Sequence, residues 1–228
     1  MLNVKTSASP ATTESPVDTR LLKERAYATL KERIVTGAFP PGTFLSERKL
    51  VEQFGMSKTP IRSALERLEA EGLVSVSPRQ GIVVREPSIQ EVADLFAIRT
   101  ALERYVLESL AGRLTKEQVR RVKDNLRLQQ QAVQEDDLAG MVQLDGEFHS
   151  LFCEFLGNRE ILRVIQQLRE RMTLVIGLVF KRSTERMLPN WKEHTSIAEA
   201  VIGGDAEAAV ARLKAHFEYG KHMLLSRP

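Results

Sequence analysis

Asp145 and His149, in the segment LDGEFHSLF, stand four residues apart, so a helix through this segment projects both side chains from one face. Leu144, Phe148, Leu151 and Phe152 flank them, which sets the pair at the edge of a core rather than plainly in solvent. His194, in WKEHTSIAEAV, and His216, in LKAHFEYG, border apolar stripes of their own, Ile197/Val201 and Leu213/Phe217. Three imidazoles and one carboxylate are enough to hold a divalent transition metal, Zn²⁺ foremost and Ni²⁺ as an alternative. Spacing alone does not bring them together, because an Asp and a His at this separation more often form an ordinary helix-surface pair. His222, the fourth histidine, has nothing to set it apart from a surface residue. Arg99, in AIRTALE, follows the stripe Leu95, Phe96, Ile98 and Leu102, and a guanidinium entering a core needs a partner, most naturally a carboxylate.

A second set lies in GMSKTPIRSALERLEAEGL, residues 55–73. Ile61, Ala64, Leu65 and Leu68 follow i, i+3, i+4, i+7 and form a buried stripe. Lys58 and Arg62 share a different, outward face, and no acid occurs between Ser57 and Leu65. The positive end of the helix and two cations therefore point the same way. Any amphipathic helix carries some cations on its wet face. A tight turn at Gly55, a cap at Ser57 and a following hairpin tipped by Pro78-Arg79-Gln80 make the arrangement more specific. It has the layout of a helix-turn-helix whose second helix enters the major groove of double-stranded DNA, with a basic wing beside it.

The elements that must position these residues are mostly helices. Residues 1–19 are rich in Ser, Thr and Pro and read as a disordered lead-in. The apolar spacing predicts a helix from Arg20 to about Thr36, ended by Gly37 and the turn Phe39-Pro40-Pro41-Gly42. Ser46 opens a short second helix that stops at Gly55, and the third helix runs from Ser57 to about Glu71. LVSVS and GIVVRE are β-branched runs that pair as a hairpin. Residues 20–86 thus form one unit, and Glu86-Pro87-Ser88 is the linker. Residues 87–228 read as an all-α bundle of six or seven helices, near 89–112, 115–135, 137–156, 159–181, 190–203 and 205–226. Thr115 and Gln118 have capping-box spacing.

Totals narrow the function classes. The chain has 228 residues and one cysteine, Cys153, so no internal disulfide forms, and a reducing, cytoplasmic setting follows. The longest apolar run, Leu174 to Phe180, is far short of the roughly 20 residues of a membrane span, so no membrane partner is expected. Of 33 Lys+Arg and 30 Asp+Glu, residues 1–86 hold 13 and 10, leaving 20 of each for the remainder. The positive excess sits wholly in the N-terminal unit, as a polyanion partner requires.

From Tyr27 to Val84 the chain resembles the winged helix-turn-helix of the GntR family of bacterial transcription factors. The segments that carry the resemblance are the turn from Gly37 to Gly42, SERKL (46–50), SKTPIRSALERLEAEGL (57–73) and the wing glycine Gly81. It implies DNA contacts at Arg48, Ser57, Lys58, Thr59, Arg62 and the wing residues Arg79, Gln80 and Gly81. Lys58 stands where the family usually has Arg, a point charge in place of a bidentate fork. From Ser88 onward the chain is similar to the all-helical effector domain of the FadR-like branch, called FCD. VADLFAIRTALERYVLESLA, DGEFHSLFCEFLGNREIL and EHTSIAEAVIGGDAEAAVARLKAHF carry that likeness. The resemblance implies a metal at Asp145, His149, His194 and His216. For Arg99 two readings stand side by side: a structural ion pair, or a seat for the carboxylate of a small organic acid. The resulting expectation is a mainly α protein, a homodimeric repressor that reads a palindromic operator and answers to an organic acid effector. A metalloenzyme of hydrolase type fused to a DNA-binding domain, or a direct metal sensor, are the alternatives.

Overall fold

Ala26, Tyr27, Leu30, Ile34 and Val35 recur at helical steps, and the helix they define, α1 (Pro16–Val35), buries all five. The computed structural model describes residues 16–77 and 81–225. Helix α1 begins at Pro16, inside the stretch that the composition marked as lead-in. A proline suits a first helical position, where its missing N–H would have had no intrahelical partner. Residues 1–15 lie outside the described residues.

After α1 come β1 (Phe44–Leu45), α2 (Glu47–Phe54), α3 (Lys58–Ala70), β2 (Val74–Ser77) and β3 (Gly81–Val84). Gly55 takes a left-handed conformation, φ 61°, which turns the chain from α2 into α3. Ser46 and Ser57 occupy the N-cap positions with extended backbone, but neither hydroxyl makes a capping bond. The sheet is antiparallel in the order β1-β3-β2, with Leu45 opposite Ile82 and Val76 also opposite Ile82. The hairpin was predicted, but the strand β1 was not: two residues are too short to show a period-2 signal. Leu30, Ile61, Leu68, Leu73 and Val74 form the core of this winged unit.

Ser88 opens α4 (Ile89–Leu110) with a full capping box: its hydroxyl accepts from Glu91 N at 3.1 Å, and Glu91 accepts from Ser88 N at 3.0 Å. The bundle continues with α5 (Lys116–Gln134), α6 (Leu138–Leu156), α7 (Arg159–Arg182), a 3₁₀ turn (Thr184–Arg186), α8 (Met187–Gly203) and α9 (Ala206–Leu225). The capping box at Thr115 and Gln118 is formed as its spacing predicts. Helix α8 starts earlier than residue 190, because Pro189 falls within its first turn, where no backbone hydrogen bond is lost. Phe148, Phe180, Phe217, Met141, Ile197 and Leu213 are fully buried at the centre of the bundle.

The two units share side chains across their boundary. Val35 of α1 belongs to the bundle core, while Leu174 of α7 belongs to the winged core. Arg85, just after β3, and Arg171 of α7 both donate to Glu91 Oε1, at 2.7 and 3.1 Å. The backbone N–H of Ser88 and then the Arg85 guanidinium hold the Glu91 carboxyl down at about 2. Lys181 donates to the Gly37 carbonyl at 2.9 Å. Gly177 admits a close backbone approach: a Cβ built there would meet Val35 O at 2.6 Å.

That contact yields a test of the boundary. In a free helix, Gly177→Ala would add about 1 kcal/mol of stability from helix propensity. Here the methyl group would strike a backbone carbonyl, and overpacking costs about 1–3 kcal/mol. Gly177→Ala is therefore expected to lower, not raise, the unfolding free energy measured by urea titration.

Candidate metal centre and nucleic-acid interface

Three helices converge on one buried point. Asp145 and His149 face inward from α6, His194 from α8 and His216 from α9, and all four are buried. One ligating atom from each lies within 4.8 Å of the others. His194 Nε2 is 3.3 Å from His216 Nε2 and 3.5 Å from Asp145 Oδ1. Residues that the spacing alone left as a helix-surface pair are thus gathered inside the bundle.

The outer nitrogen of every imidazole is engaged. His149 Nδ1 meets Glu103 Oε2 at 2.6 Å, His194 Nδ1 meets Gln129 Oε1 at 2.9 Å, and His216 Nδ1 meets Glu193 Oε2 at 2.7 Å. The Gln129 contact sits in a chain whose polarity is fixed at its far end. The Leu144 carbonyl only accepts, so Asn125 Nδ2 donates to it at 3.2 Å, and Asn125 Oδ1 accepts from Gln129 Nε2 at 2.7 Å. Gln129 Oε1 is left as an acceptor, so His194 carries its hydrogen on Nδ1. Burial, then the neighbouring His216, keeps the His194 pKa well below the ordinary 6.5. Burial also lowers that of His149, with the Glu103 carboxylate offsetting part of the effect. Both rings are neutral, and both present an Nε2 lone pair to the shared point. His149 Nε2 has no hydrogen-bond partner although it is fully enclosed.

A buried lone pair without a donor is costly, and here that of His149 Nε2 adjoins two further imidazole nitrogens and a carboxylate oxygen. A cation is the species that satisfies all four at once, and nitrogen with oxygen donors suit a divalent transition metal. The donor set fits the group that the sequence implied.

Two of the three histidines are backed by matching relays. Arg99 Nε donates to Glu103 Oε1 at 2.8 Å, and Glu103 in turn receives His149. Burial pushes the Glu103 pKa up, but Arg99 and His149 together outweigh it and the carboxyl lies at about 2. On the other side Arg186 Nη1 donates to Glu193 Oε1 at 2.8 Å, and Glu193 receives His216. Asn190 Nδ2 donates to Asp145 Oδ1 at 3.0 Å. Glu103, Gln129, Asn190 and Glu193 were absent from the predicted site; the one sequence signal was Glu103, four residues after Arg99.

Arg99 is thus one half of an ion pair and also part of a cavity wall. The cavity is lined by Arg99, Asp145 and His149 on one side and by Ile165, Met172 and Ile176 of α7 on another. The guanidinium stacks over the Phe217 ring, 4.4 Å from its centroid.

In the winged unit, Arg48, Ser57, Lys58, Thr59 and Arg62 are all exposed, as is Gly81 at φ 79°. Arg48 is 85% exposed in its side chain, with Glu52 at 4.0 Å. Tertiary packing brings one acid to this face: Glu47 of α2 lies 3.8 Å from Lys58 Nζ and 3.3 Å from Arg62 Nε. Arg79 and Gln80 lie outside the described residues.

Residues 94–219 match the family model described as FCD domain, and residues 22–84 match that of bacterial regulatory proteins, gntR family. The chain belongs to the GntR family. It is a transcriptional regulator with an FCD domain, and its relatives are regulators rather than enzymes, which sets aside the fused metalloenzyme. It is 27% identical over 205 residues to the HTH-type transcriptional regulator YdhC of Bacillus subtilis, covering 87% of this chain and 90% of that one. It is likewise 27% identical to the HTH-type transcriptional repressor RspR of Escherichia coli, over 88% and 87% of the two chains. Among solved structures, a GntR transcriptional regulator from Rhodococcus sp. RHA1 shares the fold at a TM-score of 0.76, with 23% identity over 90% of this chain and 99% of that one. McbR/YncC of E. coli does so at 0.69, with 24% identity over 87% and 94%. No described helix of this GntR-family chain is long and apolar enough to cross a membrane.

Two outcomes are expected from this geometry. His149→Ala lowers the transition metal content of the purified protein, as read by elemental analysis. In metal-free protein, unfolding stability falls as pH drops below about 6.5, because the unfolded chain takes up protons that buried His149 and His194 refuse. A further loss follows between about pH 4.5 and 2, where Glu103 titrates in the unfolded chain but stays ionised in the folded one. Denaturant titrations across pH measure both.

Proposed function

We propose that this regulator is a cytoplasmic homodimeric repressor of a palindromic operator in double-stranded DNA, released or strengthened by a small organic acid. The acid occupies the cavity beside Asp145, His149 and Arg99, where a divalent transition metal held by Asp145, His149, His194 and His216 supplies a positive charge. Arg99 supplies a second one and is held in place by Glu103. Arg48, Ser57, Lys58, Thr59, Arg62 and the wing at Arg79, Gln80 and Gly81 meet the DNA. Lys58 and Arg62 exchange Glu47 for phosphates or base edges when they do so.

The observation that carries this reading is the two-sided use of α7. Ile165, Met172 and Ile176 line the effector cavity, while Arg171, Leu174, Gly177 and Lys181 of the same helix contact the winged unit or its linker. A ligand that moves this helix changes how the winged unit is held, with a typical coupling of about 1–3 kcal/mol. Two relatives bear repressor names, RspR and the gluconate operon transcriptional repressor of Bacillus licheniformis; gluconate is itself a carboxylate. A second copy of the chain is supported by Ile98 and Tyr105, seven residues apart on α4, which expose 42% and 54% of their surface. Two-fold pairing also matches the palindromic operators that such readers bind.

Arg62→Ala is expected to weaken operator binding by about tenfold or more, as for a side chain that reads a base or phosphate. Metal content should stay at the wild-type level. Fluorescence anisotropy with the DNA upstream of the protein's own gene measures the first and elemental analysis the second. Unchanged affinity would refute the assigned interface.

A further inference from the structure

We infer that the cavity beside the metal centre takes a dianionic organic acid, a dicarboxylate, and that Arg169 of α7 grips the carboxylate that Arg99 does not. This rests on the carboxylate reading above and narrows it to a ligand class. Among the described residues, Arg99 and Arg169 are the only Arg or Lys side chains that line this cavity, and they enter it from different helices. Val142, Ile165, Met172 and Ile176 supply an apolar wall, which suits a short hydrocarbon carrying a charge at either end.

The two arginines are differently committed. Arg99 is buried and already donates to Glu103 at 2.8 Å, so it comes with a neutralising partner. Arg169 has 32% of its side chain exposed, and its nearest carboxylate, Glu147, is 3.7 Å away, outside hydrogen-bond range. Glu147 itself accepts from Gln143 at 2.9 Å. No described hydrogen bond uses the Arg169 guanidinium, which leaves a five-donor fork for a ligand.

Its seat is built rather than incidental. Gly146 lies inside α6, directly after the ligand Asp145, where glycine weakens a helix relative to alanine. A Cβ at this position would stand 3.1 Å from Arg169 Nε and 3.5 Å from its Cγ. The glycine therefore lets the arginine lie flat against α6 at the cavity wall instead of extending to solvent. Arg169 also lines the neighbouring crevice between α1 and the bundle, together with Lys31 and Glu32. A carboxylate drawing Arg169 into the cavity takes it from that crevice, so the same grip that selects a dianion alters the domain boundary.

The test uses full-length, metal-loaded protein and isothermal titration with linear dicarboxylates of four to six carbons against the monocarboxylates of equal length. Wild-type protein is expected to bind at least one dicarboxylate about tenfold or more tighter than its monocarboxylate counterpart, as one added charge-assisted pair provides. Arg169→Ala should erase that ratio while leaving monocarboxylate affinity within about twofold, since it removes one end's contact only. Gly146→Ala, which displaces the arginine without deleting it, should reduce the ratio in the same direction. Monocarboxylates that match dicarboxylates in the wild type, or a preference that survives Arg169→Ala, would overturn this inference alone. Silence from every acid would overturn the carboxylate reading of the cavity and this inference with it.

Discussion

A nitrogen lone pair enclosed without a hydrogen-bond donor, that of His149 Nε2, and the cluster of ligating atoms around it are the constraint on which the bundle is organised. His149 and His194 are neutral, their Nδ1 hydrogens are spent on Glu103 and Gln129, and their Nε2 atoms face the point shared with Asp145 and His216. An arrangement of this kind is costly in an apolar interior unless a cation joins it. The surrounding structure is spent on holding it: two Arg-Glu-His relays, an amide chain from Leu144 to His194, and Asn190 against Asp145. Phe148 stacks on the His194 ring, with the centroids 4.2 Å apart.

The same constraint explains why the cavity is polar at one side and apolar at the other. Helices α4 and α6 present Arg99, Asp145 and His149, and α7 closes the space with Ile165, Met172 and Ile176 and adds one arginine, Arg169. Helix α7 has a second duty, because Leu174 fills the winged core and Gly177 admits the Val35 carbonyl. A helix packed tightly on two faces does not deform gradually; it shifts as a body. Glu91 reinforces the joint, since it caps α4 and accepts from one arginine of each unit.

At the DNA-facing end, the balance of charge is more even than a helical wheel of α3 implies. Glu47 stands within ion-pair distance of both Lys58 and Arg62. Exposed pairs of this kind contribute little to stability, about 1 kcal/mol or less, so breaking them on binding costs little.

Local periodicity by itself determined much of this protein. Stripes at three and four residues marked the helices, Gly55 and Gly72 marked turns, and Thr115 with Gln118 marked a cap that the structure forms as spaced. These features depend on residues within a turn or two of one another, which is why one dimension suffices for them. The pairing of Asp145 with His149 was legible for the same reason. Spacing could not show that His194 and His216 join them, because they arrive from two later helices; the family resemblance implied the set, and the packing of α6, α8 and α9 assembles it. Tertiary structure alone decided the direction of each imidazole, the two-residue strand β1, the acid beside Lys58 and Arg62, and the exchange of Val35 and Leu174 between cores. Each of these follows from how helices pack against one another, and packing partners leave no periodic trace in the chain that carries them.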